Sequence, residues 1–237
     1  MDLGIANRVA LVVGGTGLIG RAVAESLLAE GATVVVGSRN PGTLAGEHPE
    51  LFDRTGQVQI DTLDEHSVQA AVDSVVAEYG SIDILVNTAA PSARTLDSSK
   101  DRDPAQVLGA IDGKAMGYLR CANAVLPLMK EAGFGRVINV SGQNAFLTGS
   151  VTGSVRNSAT IVMSKNLADL FVGTGVTVNV VNPGFVVPEP STAVQVGRAG
   201  ETTPAQVAAL VTYLASAQAA AVSGESIAVG HRVLGVQ

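Results

Sequence analysis

Tryptophan is absent from this chain, and aromatic residues make up only 3% of it. Val, Ala, Leu and Ile must therefore fill the interior of a sequence that is 46% apolar over 237 residues. There is one cysteine, Cys121, so no disulfide can form within the chain, which suits a reducing compartment. Charge is sparse: 15% of residues are charged, the formal net charge is −6, and Lys and Arg nowhere cluster. That excludes the electrostatic footprint of a nucleic-acid-binding protein. No apolar run approaches the roughly 18 residues that would suggest a membrane span. The first residues lack the basic and apolar regions of a secretory leader. These absences predict a cytoplasmic protein whose partner is a small molecule, with neither nucleic acid nor membrane. His48 and His66 have no partners at metal-ligand spacing, and His231 lies in the tail, so no metal site is expected.

What the chain does have is Val9-Ala10-Leu11-Val12-Val13 running without a gap into Gly14-Gly15-Thr16-Gly17-Leu18-Ile19-Gly20 and then an amphipathic segment. An apolar run, a glycine-rich turn and a helical pattern, in that order, read as strand, phosphate loop and helix. Glycine permits the tight turn, the close approach of backbone to a pyrophosphate, and close packing of helix on strand. A helix opening near Leu18 turns its unpaired N–H groups and positive dipole end towards the anion. Gly14, Thr16, Gly17, Leu18, Ile19 and Gly20 are therefore expected to hold the phosphates of a dinucleotide. Past the second strand, Thr33 to Val36, comes Gly37-Ser38-Arg39-Asn40. An acid there would accept from the ribose 2′-hydroxyl of NAD; the guanidinium of Arg39 matches a 2′-phosphate instead. Ser38 and Arg39 favour NADP over NAD, the alternative being a solvated loop arginine.

The rest alternates. Further strands are predicted at Gln57 to Ile60, Ile82 to Asn87, Arg136 to Val140, Val176 to Val181 and Ser226 to Val229. Helices are predicted at Leu18 to Glu30, from the N-cap Asp64 to Tyr79, and at Pro104 to Lys130, Ser154 to Phe171 and Pro204 to Ala217. Pro127 should kink or shorten the third of these. Asn40 to Arg54 reads as weak helix or loop, and Phe185 to Thr203 as a long loop suited to a lid. Strands alternating with helices throughout predict one α/β domain over residues 1–237. It should be a doubly wound Rossmann-type fold, with a seven-stranded parallel sheet and helices on both faces.

This order of signals resembles the short-chain dehydrogenase/reductase family over nearly the whole chain. The glycine motif is similar to the family's, with the Gly14, Gly17, Gly20 spacing of its extended branch; shorter members carry glycine where Leu18 stands. Asn87-Thr88-Ala89-Ala90 resembles the family's Asn-Asn-Ala-Gly, with Ala90 in place of glycine. Ala124 to Met129, Gly135 to Ser141, Asn179 to Gly184 and Ser223 to Ile227 are also family-like. The resemblance implies that Asp61 meets the adenine, that Thr62, Asn87, Ala89, Pro183 and Gly184 complete the cofactor site, and that the protein assembles as a dimer or tetramer through its long helices.

The departures bear on chemistry. The family works with Asn, Ser, Tyr and Lys: tyrosine protonates the substrate oxygen, lysine lowers the tyrosine pKa and holds the nicotinamide ribose, serine hydrogen-bonds the same oxygen, and asparagine orders a water. No Tyr-x-x-x-Lys occurs here. Counting from the flanking motifs, the tyrosine place falls at Gly153, the lysine place at Asn157, the asparagine place at Lys114 and the serine place at Gly142, with Ser141 one residue earlier. A missing general acid costs roughly 10²–10⁴-fold, about 3–5 kcal/mol, while cofactor binding and substrate positioning are separate contributions.

Three replacements are candidates. Ser141, at the carboxyl end of a central strand, would polarise the substrate oxygen; the alternative is a satisfied loop serine. Lys114, facing a partly apolar pocket, would have a lowered pKa and donate a proton. Arg156, four residues after Thr152, would hold a ribose or act on Ser141 electrostatically but cannot serve as an acid; the alternative is a surface arginine. Tyr118 shares a helix face with Lys114 but should lie one turn deeper, and Arg94, in the loop after the fourth strand, would meet an anionic substrate unless it is simply a solvated loop arginine. The expected function is an NADP-dependent oxidoreductase acting on a carbonyl, alcohol or enone with an incomplete tetrad. The alternatives are a lyase, isomerase or dehalogenase on the same scaffold, or a non-catalytic NADP-binding subunit.

Overall fold

The computed structural model describes residues 2–91 and 95–231. In chain order it contains β1 (Val9–Val13), α1 (Leu18–Ala29), β2 (Thr33–Ser38), α2 (Gly42–Glu47), α3 (Pro49–Phe52), β3 (Gly56–Gln59), α4 (Glu65–Tyr79) and β4 (Ile84–Asn87). Then follow α5 (Pro104–Ile111), α6 (Gly117–Ala132), β5 (Gly135–Val140), α7 (Val151–Leu170), β6 (Val176–Pro183), β7 (Phe185–Val186), β8 (Glu201–Thr202), α8 (Pro204–Ala215) and β9 (Ser226–Val229).

Every residue of β1, β4, β5 and β6 is buried. Strands covered on both faces need continuous apolar runs, which is what these segments supply. Seven strands form one sheet in the order β3-β2-β1-β4-β5-β6-β9, every ladder parallel, as expected. One core layer joins the sheet to α4, α6 and α7 through residues such as Val72, Val125 and Leu167. The other joins it to α1, α2, α3 and α8 through Val23, Leu27, Leu44, Leu51 and Val211. The strand order reverses between β1 and β4, and in open α/β sheets that switch point opens a ligand crevice beyond the strands' carboxyl ends.

Several boundaries differ from expectation. The helix predicted from Pro104 to Lys130 is interrupted by a π turn, Asp112–Met116, between α5 and α6. Pro127 does not shorten it: α6 runs through to Ala132 and stops at Gly133, whose φ of +68° gives a left-handed cap. Asn40 to Arg54 resolves into α2 and α3. Phe185 to Thr203 is not structureless throughout, because its ends pair in parallel as β7 and β8. No helix among the described residues is long and apolar enough to cross a membrane.

Candidate functional site

The turn after β1 is built around two crowded glycines. Gly14 has φ +83°, and its N–H donates to the Gly37 carbonyl at 2.7 Å. A Cβ there would lie 2.5 Å from the Ala89 nitrogen. A Cβ on Gly20 would strike the Gly14 carbonyl oxygen and lie 2.7 Å from the Gly15 Cα. These glycines serve the fold. Gly17 is different, since its nearest neighbour would be the Gly14 oxygen at 3.3 Å. The space above it belongs to the crevice.

Side chains cap α4, α5, α7 and α8, namely Asp64, Asp103, Ser150 and Thr203. Helix α1 has no side-chain cap. Its first-turn amides have no intrahelical acceptors and present a positive end to an anion. Arg21, which sequence reasoning missed, donates from Nη1 to the Thr16 carbonyl at 2.8 Å and so braces the turn with a cation.

A crevice of about 490 Å³ lies over this turn, lined among others by Gly14, Thr16, Gly17, Ser38, Arg39, Asp61, Thr62 and Ala89. The remaining residues expected to bind cofactor lie outside that lining. Leu18 is half exposed beside the turn. Ile19 packs on the core under α1, and Gly20 sits beneath the turn. Asn87 is fully buried and donates to the Asn139 Oδ1 at 2.8 Å. Pro183 ends β6, and the Gly184 N–H donates to the Val229 carbonyl. The crevice combines an uncapped helix start, no acid just past β2, and Arg39 beside Ser38, a donor set suited to an anionic dinucleotide. Ser38 Oγ is shielded from solvent and has no hydrogen-bond partner among the described residues.

Lys114 and Ser141 do come together, joined by Asn157, and Arg156 lies near enough to Lys114 to act on it electrostatically. The π turn carries Lys114 inward, where it is buried. Its Nζ donates to the Ser141 carbonyl at 2.9 Å and to the Asn157 Oδ1 at 2.8 Å. Burial, then the nearby Arg156 guanidinium, lower its pKa from 10.5 to about 7. Ser141 Oγ donates to the Asn157 carbonyl at 3.0 Å, so its proton is already committed. Arg156 is only 6% exposed, which rules out a surface role. Its Nη1 donates to the Pro91 carbonyl at 3.0 Å, and its Nε has no partner among the described residues. Desolvation lowers its pKa, and a guanidinium stays charged regardless. Tyr118 lies in the core, as expected, with its hydroxyl donating to the Val140 carbonyl at 3.1 Å.

Two further contacts have no local sequence signal. Asp101 accepts from Ser150 Oγ and the Val151 amide at 2.7 Å each, which fixes the start of α7 and lowers its carboxyl pKa. Gln143 donates to the Val229 carbonyl and accepts from the Gly200 amide, tying the segment after β5 to β9 and to the approach to β8. A second cavity, about 440 Å³, is lined among others by Asn144, Leu147, Ser150, Ser154, Phe185 and Arg198. Arg94 lies outside the described residues.

Residues 8–197 match the family model described as short chain dehydrogenase. The chain is 30% identical over 247 residues to a 3-oxoacyl-[acyl-carrier-protein] reductase FabG of Vibrio harveyi, covering 95% of this chain and 96% of that one. It is 31% identical over 243 residues to an acetoacetyl-CoA reductase of Rhizobium meliloti (strain 1021), covering 93% and 96%. Among solved structures it is similar to an actinorhodin polyketide ketoreductase with NADPH, at TM-score 0.79 and 28% identity over 94% and 96% of the two chains. It is also similar to a ribose-5-phosphate isomerase of Brucella melitensis 16M, at TM-score 0.82 and 25% identity over 97% and 93%.

Proposed function

This chain belongs to the short-chain dehydrogenase family, and on that premise we propose that it is an NADP-dependent oxidoreductase acting on a carbonyl, alcohol or enone with an incomplete tetrad. The observation that carries the reading is the uncapped start of α1 facing a crevice that also contains Ser38 and Arg39. The Gly17 turn and the first amides of α1 would hold the pyrophosphate, with Arg21 adding charge. Ser38 and Arg39 would hold the 2′-phosphate, and Asp61 the adenine. Thr62, Asn87, Ala89, Pro183 and Gly184 would complete the site. Once bound, the dinucleotide supplies or removes a hydride.

The chain's own contribution at the reacting end is electrostatic. Arg156 is cationic throughout, and Lys114 is cationic below about pH 7. Both favour negative charge on a nearby oxygen. An enone needs less help of this kind if solvent protonates its carbon. The relatives named for 3-oxoacyl and acetoacetyl thioesters make a β-keto thioester the first substrate to try. We assign the chain to a single domain, to the cytoplasm, and to a homodimer or homotetramer.

A second reading has two observations behind it. Glycine stands at both positions, Gly142 and Gly153, where the family resemblance calls for a hydroxyl, and a structural relative is an isomerase. A non-redox enzyme, or an NADP-binding subunit without activity, would show no NADPH consumption.

Fluorescence titration with NADPH, followed by its oxidation against acetoacetyl-CoA, tests the first reading. Arg39→Ala should raise the Kd for NADPH by about 10- to 100-fold and leave that for NADH nearly unchanged. That range corresponds to hydrogen bonds to a charged group, about 1.5–3 kcal/mol. Equal effects on both cofactors would remove Arg39 from the 2′-phosphate.

A further inference from the structure

The buried lysine orients an amide. As an ammonium Lys114 has donors and no acceptor, so the Asn157 group facing its Nζ at 2.8 Å is the oxygen. That fixes which way the amide points, and Nδ2 faces the opposite side. Among the described residues Nδ2 is paired with no acceptor. The first atom a Cβ on Gly142 would meet is this Nδ2, at 3.2 Å, so any larger residue there would begin to cover it. One helical turn earlier, on the same face of α7, stands Gly153. Ser150 and Asn144, the side chains nearest the missing Gly153 Cβ, also line the 440 Å³ cavity. Gly142 thus puts no side chain over Nδ2, and Gly153, one turn earlier, lies against two residues that line the cavity.

Resting on the reductase reading, we propose that Asn157 is a catalytic residue whose Nδ2–H group donates to the substrate oxygen, with Lys114 as the positioning residue that fixes and polarises the amide. On reduction the carbonyl carbon accepts a hydride from the reduced nicotinamide, which is left oxidised, and the C=O pair moves to oxygen. Nδ2–H stabilises the charge gathering there. Water supplies the proton that completes the alcohol, because an amide does not release its own near neutral pH. A preorganised donor of this kind in a water-poor site is worth about 10²–10³-fold in kcat.

Asn157→Asp separates this role from a merely structural one. The carboxylate keeps the side chain's shape and gives Lys114 a stronger acceptor, but presents oxygen where the amide presents N–H. The expected result is a Tm at or above that of the unaltered protein, an NADPH Kd within about threefold, and a kcat for acetoacetyl-CoA reduction lower by about 100-fold or more. Gly142→Ala gives an independent check. It leaves the Lys114–Asn157 bond in place, covers Nδ2, and should lower kcat/KM by about tenfold. Turnover by Asn157→Asp within about threefold of the unaltered protein would show that Asn157 only anchors Lys114, and would overturn the assignment while the reductase reading stands. Failure of the unaltered protein to bind NADPH, or binding without consumption against acetoacetyl-CoA, ethyl acetoacetate and 2-cyclohexenone alike, would overturn the reductase reading and the assignment with it.

Discussion

Gly17→Ala is expected to leave the protein folded and to weaken NADPH binding by about 100-fold, whereas Gly14→Ala is expected to lose both stability and binding. The two differ in what a methyl group meets. Gly17 has φ −80° and ψ 166°, an extended conformation open to alanine, and its Cβ would touch only the Gly14 oxygen at 3.3 Å. The substituent therefore enters the crevice, above the amides on which a pyrophosphate would rest, and anion and backbone can no longer approach closely. At Gly14 the same methyl would meet the Ala89 backbone at 2.5 Å, in a residue with φ +83°. Left-handed backbone costs a non-glycine residue roughly 1–2 kcal/mol, and overpacking costs about 1–3 kcal/mol more. In a chain of this length each kcal/mol lowers Tm by about 2–4 °C. Gly14→Ala should therefore melt about 5–15 °C lower, and Gly17→Ala within about 3 °C of the unaltered protein. Thermal scans and NADPH titration on the same samples decide it. Unweakened binding by a folded Gly17→Ala variant would take the nucleotide away from this turn.

The sheet was legible because a parallel strand buried on both faces leaves an uninterrupted apolar run, and the predicted limits of β1 match the structure residue for residue, as do those of β9, a partly buried edge strand. The start of α7 was not legible. It opens at Val151 rather than Ser154 because Ser150 caps it and Asp101, distant in sequence, binds its first amides. The inward stripe of α7 carries Thr152, Arg156, Asn157, Thr160 and Ser164, so apolar periodicity cannot reveal which side is buried. That is why a surface position for Arg156 remained open until the fold was known. Counting from flanking motifs put Lys114 and Asn157 at functional places, but the bond between them depends on a π turn, which has no local sequence signature. The two-residue ladder of β7 and β8 is likewise too short for alternation to register.

Lys114 should make the protein more stable at pH 9 than at pH 7, by about 2–3 kcal/mol. Its pKa falls from 10.5 to about 7 on folding. Between those values the unfolded chain holds a proton that the folded chain has released. Stability therefore rises with pH across the interval, by at most about 1.4 kcal/mol per unit. Three groups act in the opposite direction further up, among them the Tyr79 phenol, raised by burial and by Glu78. Burial raises the Cys121 thiol from 9.0 to about 12 and raises the Tyr118 phenol above its usual 10.0. Above about pH 9 the unfolded chain loses protons that the folded chain keeps, so the gain is progressively cancelled and a maximum near pH 9 is expected. The acids shifted downward, Asp97 and Asp101, titrate far below this window. Lys114→Met fills similar space without a charge and should flatten the profile between pH 7 and 9. It also strips donors from the Ser141 carbonyl and the Asn157 Oδ1, a loss of about 1–3 kcal/mol for each group left unpaired. At pH 9 the variant should therefore be the weaker protein. Near pH 6 the unaltered chain carries a buried cation beside Arg156 and the difference should narrow or reverse. Urea unfolding at pH 6, 7.5 and 9 measures this, and an undiminished slope in Lys114→Met would assign the titration to another group. A neutral amine still has two N–H groups for its two acceptors, so the orientation of Asn157 should persist through the transition while the positive charge behind it disappears.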